Sequence, residues 1–430
     1  MMKAIIIAGG KGKRLGKITR NIPKPMIKID GLPILEHQIR LLKKYGLKDI
    51  IILTGYLAEV IEGYFKNGQR FGVKITYIKS DPEIGNADRL KLAKKHLSED
   101  FLVLYGDTML DIDLKRLINF HKNKKSSCTL VIHPNDHPYD SDLVETNDNQ
   151  EIIAFHTKPR PPNEYFKNLV NAGVYVFSPG ILKYIKSKKG VELDLAKHIL
   201  PKIIGREKIF GYNTPEYIKD MGTPKRFKQV TKDCLTGKIK RLNMKNKRRA
   251  IFLDRDGTIN YDPGNLSDIN NFKLLPNTEK AIKLINSSEY LAIVVSNQPM
   301  VAKGLINIQE INEINKKMEI LLGEKGAKLD GIYFCPHHPD KGYPGENPKY
   351  TIQCACRKPQ IGMLTKAGKD FNIDLPPSWI IGDSERDIIA GLNAKIKTIL
   401  IKKNQEKFDK CRPKTKKAKD LYSAVKLILK

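Results

Sequence analysis

Two aspartates with one residue between them, Asp254 and Asp256, close an apolar run in the segment IFLDRDGTIN. In extended chain that spacing sets both carboxylates on one side, a pairing suited to phosphate chemistry around a cation. A calcium loop is the competing reading, but its glycine belongs five places after the first acid and Gly257 comes too early. Farther on, Cys335-x-His337 and Cys354-x-Cys356 make a four-ligand set with sixteen residues between the pairs. Three thiolates and an imidazole suit tetrahedral Zn²⁺ in a closed structural site, whereas Cys-x-Cys is not the Cys-x-x-Cys redox pattern. Near the N-terminus, Gly9, Gly10 and Gly12 alternate with Lys11, Lys13 and Arg14. Glycines admit phosphates close to the backbone, and the bases neutralise them. The loop lacks the Gly-Lys-Ser/Thr of a P-loop, and Leu15 stands where GxGxxG needs its last glycine. Alone, such a loop is equally a structural turn.

These groups need elements that aim them. KAIII before the glycines, IIILTG (50–55), FLVLYGD (101–107) and CTLVIH (128–133) read as buried strands, and LEHQIRLLKKYG (35–46) as a helix ending on glycine. In the second half AIFL, LAIVVSNQ (291–298) and SWIIGD (378–383) are strands that end in polar residues. Alternation of this kind predicts an α/β chain of two domains, each a mainly parallel sheet flanked by helices, with ligands at the carboxyl ends of the strands. The strand-then-phosphate-chemistry pattern occurs twice, and the basic stretch 238–249 is the natural boundary. We therefore expect domains at 1–237 and 250–430 joined by that linker.

The chain has 430 residues, too many for one ordinary core, and is 40% hydrophobic and 29% charged. No apolar run approaches the roughly 20 residues of a membrane span. The opening MMKAIIIAGG is too short in apolar residues for a secretory signal and reads as a strand. Six cysteines are too few for a secreted disulfide scaffold, so a cytoplasmic location is expected. The net charge of +30 raises nucleic acid as a partner. Much of the excess, however, lies in 238–249, with seven bases and no acids, and in the tail from Lys402, with eleven bases and three acids. Solvated surface is the better reading, and a positive field also favours phosphorylated small molecules. The tail's LYSAVKLILK has helical spacing and could dock on the second domain.

The first half carries more than the loop: Pro23-Lys24-Pro25-Met26, Tyr105-Gly106-Asp107 and Asp220-Met221-Gly222-Thr223-Pro224 follow in order. The series resembles the sugar-phosphate nucleotidyltransferases over residues 1–235. That resemblance implies that Gly9, Gly10 and Gly12 cradle nucleotide phosphates and that Arg14 and Lys24 stabilise charge on the α-phosphate. It further implies that Asp107 and Asp220 hold Mg²⁺, and that Lys158 and Asn171 contact the sugar phosphate. The family's GTxGAL segment, near base and sugar, is here Gly85-Asn86-Ala87-Asp88-Arg89-Leu90, so Asp88 and Arg89 replace small residues.

The second half resembles the haloacid-dehalogenase-like (HAD) phosphatases over about residues 250–400, with DxDGT, then Ser296-Asn297, then Lys358, then Gly382-Asp383. By that resemblance Asp254 is the nucleophile and Asp256 the general acid and base. Mg²⁺ bridges Asp254, Asp383 and the Asp256 carbonyl. Ser296, Asn297, Arg357 and Lys358 bind and position the phosphoryl group, while Asp387 reads equally well as a helix-surface acid. The zinc loop, Cys335, His337, Cys354 and Cys356, resembles that of two small phosphatase families, for heptose bisphosphate and for histidinol phosphate. Pro299-Met300 departs from the Ser-Gly usual in the heptose family. Only the heptose enzymes yield a sugar 1-phosphate, the substrate class of the first half. The fusion is thus expected to remove the 7-phosphate of heptose 1,7-bisphosphate and then transfer GMP from GTP to the α-heptose 1-phosphate. A hexose 1-phosphate transferase fused to a phosphatase of other specificity is the alternative. The expected cofactors are Mg²⁺ in both domains and structural Zn²⁺ in the second.

Overall fold

The computed structural model describes residues 2–161, 164–188, 190–264, 266–401 and 415–430. The first part of the basic tail, 402–414, lies outside them. The described chain separates into two compact units: 1–133, 144–157 and 170–243 in one, and 134–143, 158–169 and 244–430 in the other. The break at Asn243–Met244 falls inside the basic stretch, whose start is the short helix α7 (Lys238–Arg241) of the first unit.

In the first unit β1 (Lys3–Ile7) leads through the glycines and a tight hairpin, β2 (Lys28–Ile29) and β3 (Leu32–Pro33), into α1 (Ile34–Lys44). There follow β4 (Asp49–Thr54), α2 (Ala58–Phe65), β5 (Lys74–Lys79), α3 (Asn86–Leu92), β6 (Phe101–Tyr105), β7 (Thr108–Asp111), α4 (Leu114–Asn123) and β8 (Cys128–His133). The remainder is β9 (Leu143–Thr146), β10 (Ile152–His156), β11 (Val170–Phe177), α5 (Leu200–Ile203), β12 (Ile209–Asn213), β13 (Tyr217–Asp220) and α6 (Pro224–Leu235). Nine strands form one sheet in the order β10-β9-β11-β6-β1-β4-β5, with β8 and β12 continuing from β11. Parallel pairing holds from β6 through β1 and β4 to β5, while β11 runs antiparallel to β6 and β8. The central parallel strands β1, β4 and β6 are largely apolar and buried, as strands packed on both faces are. α1 supplies part of that packing: Leu35, Ile39 and Leu42 recur at helical spacing and are fully buried against β1 and β4. The strand ends Ile7, Thr54 and Tyr105 thus deliver the glycine loop, Gly55 and Asp107 to one edge.

The second unit is built on six strands, all parallel, in the order β16-β15-β14-β17-β18-β19. These are β14 (Arg249–Leu253), β15 (Tyr290–Asn297), β16 (Gly331–Cys335), β17 (Trp379–Gly382), β18 (Lys397–Ile401) and β19 (Lys416–Ala418). Helices α8 (Thr278–Ser287), α9 (Ile308–Glu324), α10 (Gly362–Asp370), α11 (Glu385–Asn393) and α12 (Leu421–Leu429) flank it. Asn307 and Glu310 form a reciprocal capping box that starts α9. The tail sequence does fold as a helix: Leu421, Ala424 and Val425 of α12 are buried with Ile282 and Ile285 of α8 in the unit's core. Central β14 places Asp254 at its carboxyl end, flanked by the ends of β15 and β17.

Candidate active sites

In the second unit the DxD turn is held open by Gly257, whose φ of 74° favours glycine and whose missing Cβ leaves room for the Asp383 carboxylate. Carboxylate oxygens of Asp254, Asp383 and Asp387 lie within 4.8 Å of one another, a set able to hold a metal ion. Lys358 Nζ lies 2.9 Å from Asp254 Oδ1 and 2.5 Å from Asp387 Oδ1, and donates to the Val295 carbonyl at 2.7 Å. Burial, and then the Asp387 carboxylate, push Asp254 well above the usual carboxylate range, with Lys358 opposing them. Burial works against the Lys358 charge too, yet Asp254 and Asp387 together raise its pKa. A divalent cation between the acids relieves the repulsion, so the donor set fits one.

Asp256 lies beside this cluster. Arg255 reaches back to it with Nε at 3.1 Å and Nη2 at 3.0 Å, and Asn260 and Gln298 donate at 2.9 and 2.7 Å. Burial would raise its pKa, but Arg255 and then the two amides bring it below the ordinary value. Ser296, at the end of β15, accepts from Gln298 at 2.8 Å. Asn297 clamps the Lys358 backbone from both sides, donating to its carbonyl at 3.0 Å and accepting from its N–H at 2.9 Å. Arg357 donates to the His337 carbonyl at 3.1 Å, which ties it to the cysteine loop. Sequence reasoning gave no role to Arg255, Asn260 or Gln298. The even reading of Asp387 is now resolved: it is fully buried, faces Lys358 and is a member of the acidic cluster.

Cys335, His337, Cys354 and Cys356 converge as expected, with Cys356 Sγ 3.2 Å from Cys335, 3.3 Å from Cys354 and 3.3 Å from His337 Nδ1. The hydrogen bond with Cys335, with burial opposing and Cys354 and His337 adding, lowers the Cys356 thiol to about 5. Four such donors at one point can hold a metal ion, and the chain running on from Cys356 carries Lys358 to Asp254.

In the first unit Gly9, Gly10 and Gly12 form the turn after β1, and Gly85 precedes α3. Lys24, largely buried, pairs with Asp107 at the end of β6. The β7–β13 ladder seats Asp220 opposite Thr108, and the Met221 N–H donates to the Asp107 carbonyl at 3.1 Å, so the two acids share one edge. Arg226, which sequence reasoning missed, contacts both Asp220 oxygens at 3.0 and 2.8 Å. Burial raises the Asp220 pKa, but Arg226 and the Gly222 N–H outweigh it and leave it lowered. A Cβ on Gly222 would approach Arg14 Nη2 at 3.0 Å, which puts Arg14 at this cluster. Asn171 on β11 donates to Tyr175 at 2.9 Å. Lys158 is in the second unit and pairs with Asp140 at 2.6 Å, whereas Asn171 is in the first. Asn86 and Asp88 accept the N–H groups of Leu195 and Leu193, so these departures hold a neighbouring loop.

A family model for nucleotidyl transferases matches residues 3–237, and one described as HAD-hydrolase-like matches 355–424. A UTP–glucose-1-phosphate uridylyltransferase of Synechocystis is 36% identical over 47% of this chain and 55% of its own length. A mannose-1-phosphate guanylyltransferase of Mycobacterium tuberculosis is 31% identical over 54% of this chain, which spans 65% of that relative. A D-glycero-beta-D-manno-heptose-1,7-bisphosphate 7-phosphatase of Pasteurella multocida is 40% identical over 36% of this chain and 82% of its own length. Two catalytic motif sets on two parallel-rich sheets thus have separate relatives, and the chain belongs to the nucleotidyl transferase family with a HAD-like phosphatase domain of the heptose-bisphosphatase kind in the same polypeptide.

Proposed function

We propose that residues 250–430 remove the 7-phosphate from D-glycero-α-D-manno-heptose 1,7-bisphosphate and that residues 1–237 join the resulting 1-phosphate to GMP from GTP, releasing pyrophosphate. The observation that carries this reading is the pairing itself. A phosphatase relative is named for a 1,7-bisphosphate whose 7-phosphate it removes, and the other half belongs to a family with sugar 1-phosphate relatives. Guanine is supported by the guanylyltransferase relative. Uridine with a hexose 1-phosphate is the second reading, favoured by the more similar uridylyltransferase.

Asp254 would attack phosphorus and form an aspartyl-phosphate, while Asp256 protonates the departing sugar oxygen. A phosphoryl dianion near Asp256 raises its hold on that proton. Once the sugar has left, Arg255 and Gln298 favour the ionised form that activates water. Mg²⁺ at Asp254 and Asp383, near Asp387, would supply charge neutralisation. Zn²⁺ at Cys335, His337, Cys354 and Cys356 would fix the loop. In the first half Arg14 and Lys24 would balance the polyphosphate, with Mg²⁺ at Asp107 and Asp220.

The test supplies each anomer of heptose 1,7-bisphosphate with Mg²⁺, pyrophosphatase and one of GTP, UTP, ATP or CTP, and follows products by mass spectrometry. GDP-heptose from the α-anomer is the expected product. Turnover of the β-anomer alone, as the phosphatase relative's name specifies, overturns the anomer. Phosphate release from neither overturns the heptose assignment.

A further inference from the structure

Arg89 occupies a position that the phosphate chemistry of the first unit leaves unexplained. It is 3% exposed, yet it sits where three parallel strands finish: β1 at Gly9, β4 at Gly55 and β5 at Ser80. A Cβ on either Gly9 or Gly55 would collide with its guanidinium. Nη1 donates to Ser80 Oγ at 2.8 Å, and Ser80 in turn donates to the Thr54 carbonyl at 3.0 Å. Nη2 donates to the carbonyls of Asp81, Pro82 and Ile84 at 3.0, 2.7 and 3.1 Å. One side chain therefore gathers three carbonyls of one turn and fastens it to the floor beneath the glycine loop. The top of the same turn is fastened as well, because Glu83 pairs with Lys11 of that loop.

The side on which this happens matters. Lys24, Asp107, Asp220 and Arg14 collect on the β6 and β7 side of β1, and Asn171 lies one strand beyond β6. Phosphates and acceptor sugar fill that side, which leaves the ends of β4 and β5 for the nucleoside. A turn with the carbonyls of Asp81, Pro82 and Ile84 held by one guanidinium presents a fixed wall there. Arg can do this because its planar fork carries five donors, which Lys lacks.

We propose that Arg89 is a positioning residue for the nucleoside, setting the affinity and base selectivity of the transferase by locking the 81–85 turn against Gly9 and Gly55. This rests on the nucleotidyl-transfer reading above. The full-length R89A and R89K variants would be assayed with GTP, UTP, ATP and CTP, and nucleotide binding measured by calorimetry beside a thermal melt. In R89A we expect KM and Kd for the preferred nucleotide to rise about 10-fold. The kcat should stay within about 3-fold, KM for the sugar 1-phosphate should not change, and the preference over the next nucleotide should fall at least about 5-fold. R89K should lie between. Where R89A does not fold, R89K decides by the same readouts. Unchanged nucleotide KM and selectivity, or a fall in kcat alone equal for all four nucleotides, overturns the proposal. A wild-type chain that forms no nucleotide sugar from any pair would overturn the transferase reading instead.

Discussion

At the residue scale the phosphatase site is a balance of charge around Asp254. Asn in its place keeps the shape and removes the proposed nucleophile, so D254N should lose at least about 1,000-fold in phosphate release and leave nucleotidyl transfer intact. Gln298 acts on Asp256 rather than on phosphorus. Q298A should lower phosphatase kcat about 10-fold and shift the acidic limb of its pH profile, with little change in KM. The aspartates, Lys358 and the cysteine set were legible because their types and order carry the chemistry. Arg255 was not, since the middle residue of DxD gives no sign that its guanidinium is 1% exposed and folded back onto Asp256. Asp387 was legible only by half. A capping acid on a helix start and a buried member of an acidic cluster share one spelling, and here Asp387 is both.

At the element scale the apolar runs located the strands well. CTLVIH is β8 residue for residue, LAIVVSNQ contains nearly all of β15, and SWIIGD contains β17. The edge formed by β9 and β10 was not read, because Leu143-Val144 and Ile152–Phe155 are apolar runs too short to stand out. Two elements make predictions. C356S should lower bound zinc by metal analysis, reduce Tm and cut phosphatase activity together, while transferase activity persists. Glu319 of α9 accepts the Asn168 N–H at 3.3 Å, and burial pushes its pKa up to about 7. An acid raised on folding holds its proton more tightly in the native state, so stability is greatest below the unfolded value near 4.3 and falls as pH climbs toward 7. E319Q should flatten that decline in denaturant titrations run from pH 4.5 to 8. An unchanged slope would remove Glu319 as its source.

At the scale of the whole molecule, two separate sheets each bring a site to the carboxyl ends of their strands. The composition predicted this much, since two strand-and-phosphate patterns in one chain call for two cores. The grouping of 134–143 and 158–169 with 244–430 could not be foreseen. Packing between segments far apart in sequence leaves no local pattern. No helix among the described residues is long and apolar enough to cross a membrane.

The central claim is that one chain carries two independent sites acting in order. The most direct measurement follows ³¹P spectra of heptose 1,7-bisphosphate, GTP and Mg²⁺ with wild type, D254N, D107N and an equal mixture of the two variants. The account expects inorganic phosphate without pyrophosphate from D107N and neither product from D254N, with both products restored in the mixture. D254N given heptose 1-phosphate should still release pyrophosphate. Loss of both activities in either single variant, or a mixture that stays silent, would contradict it.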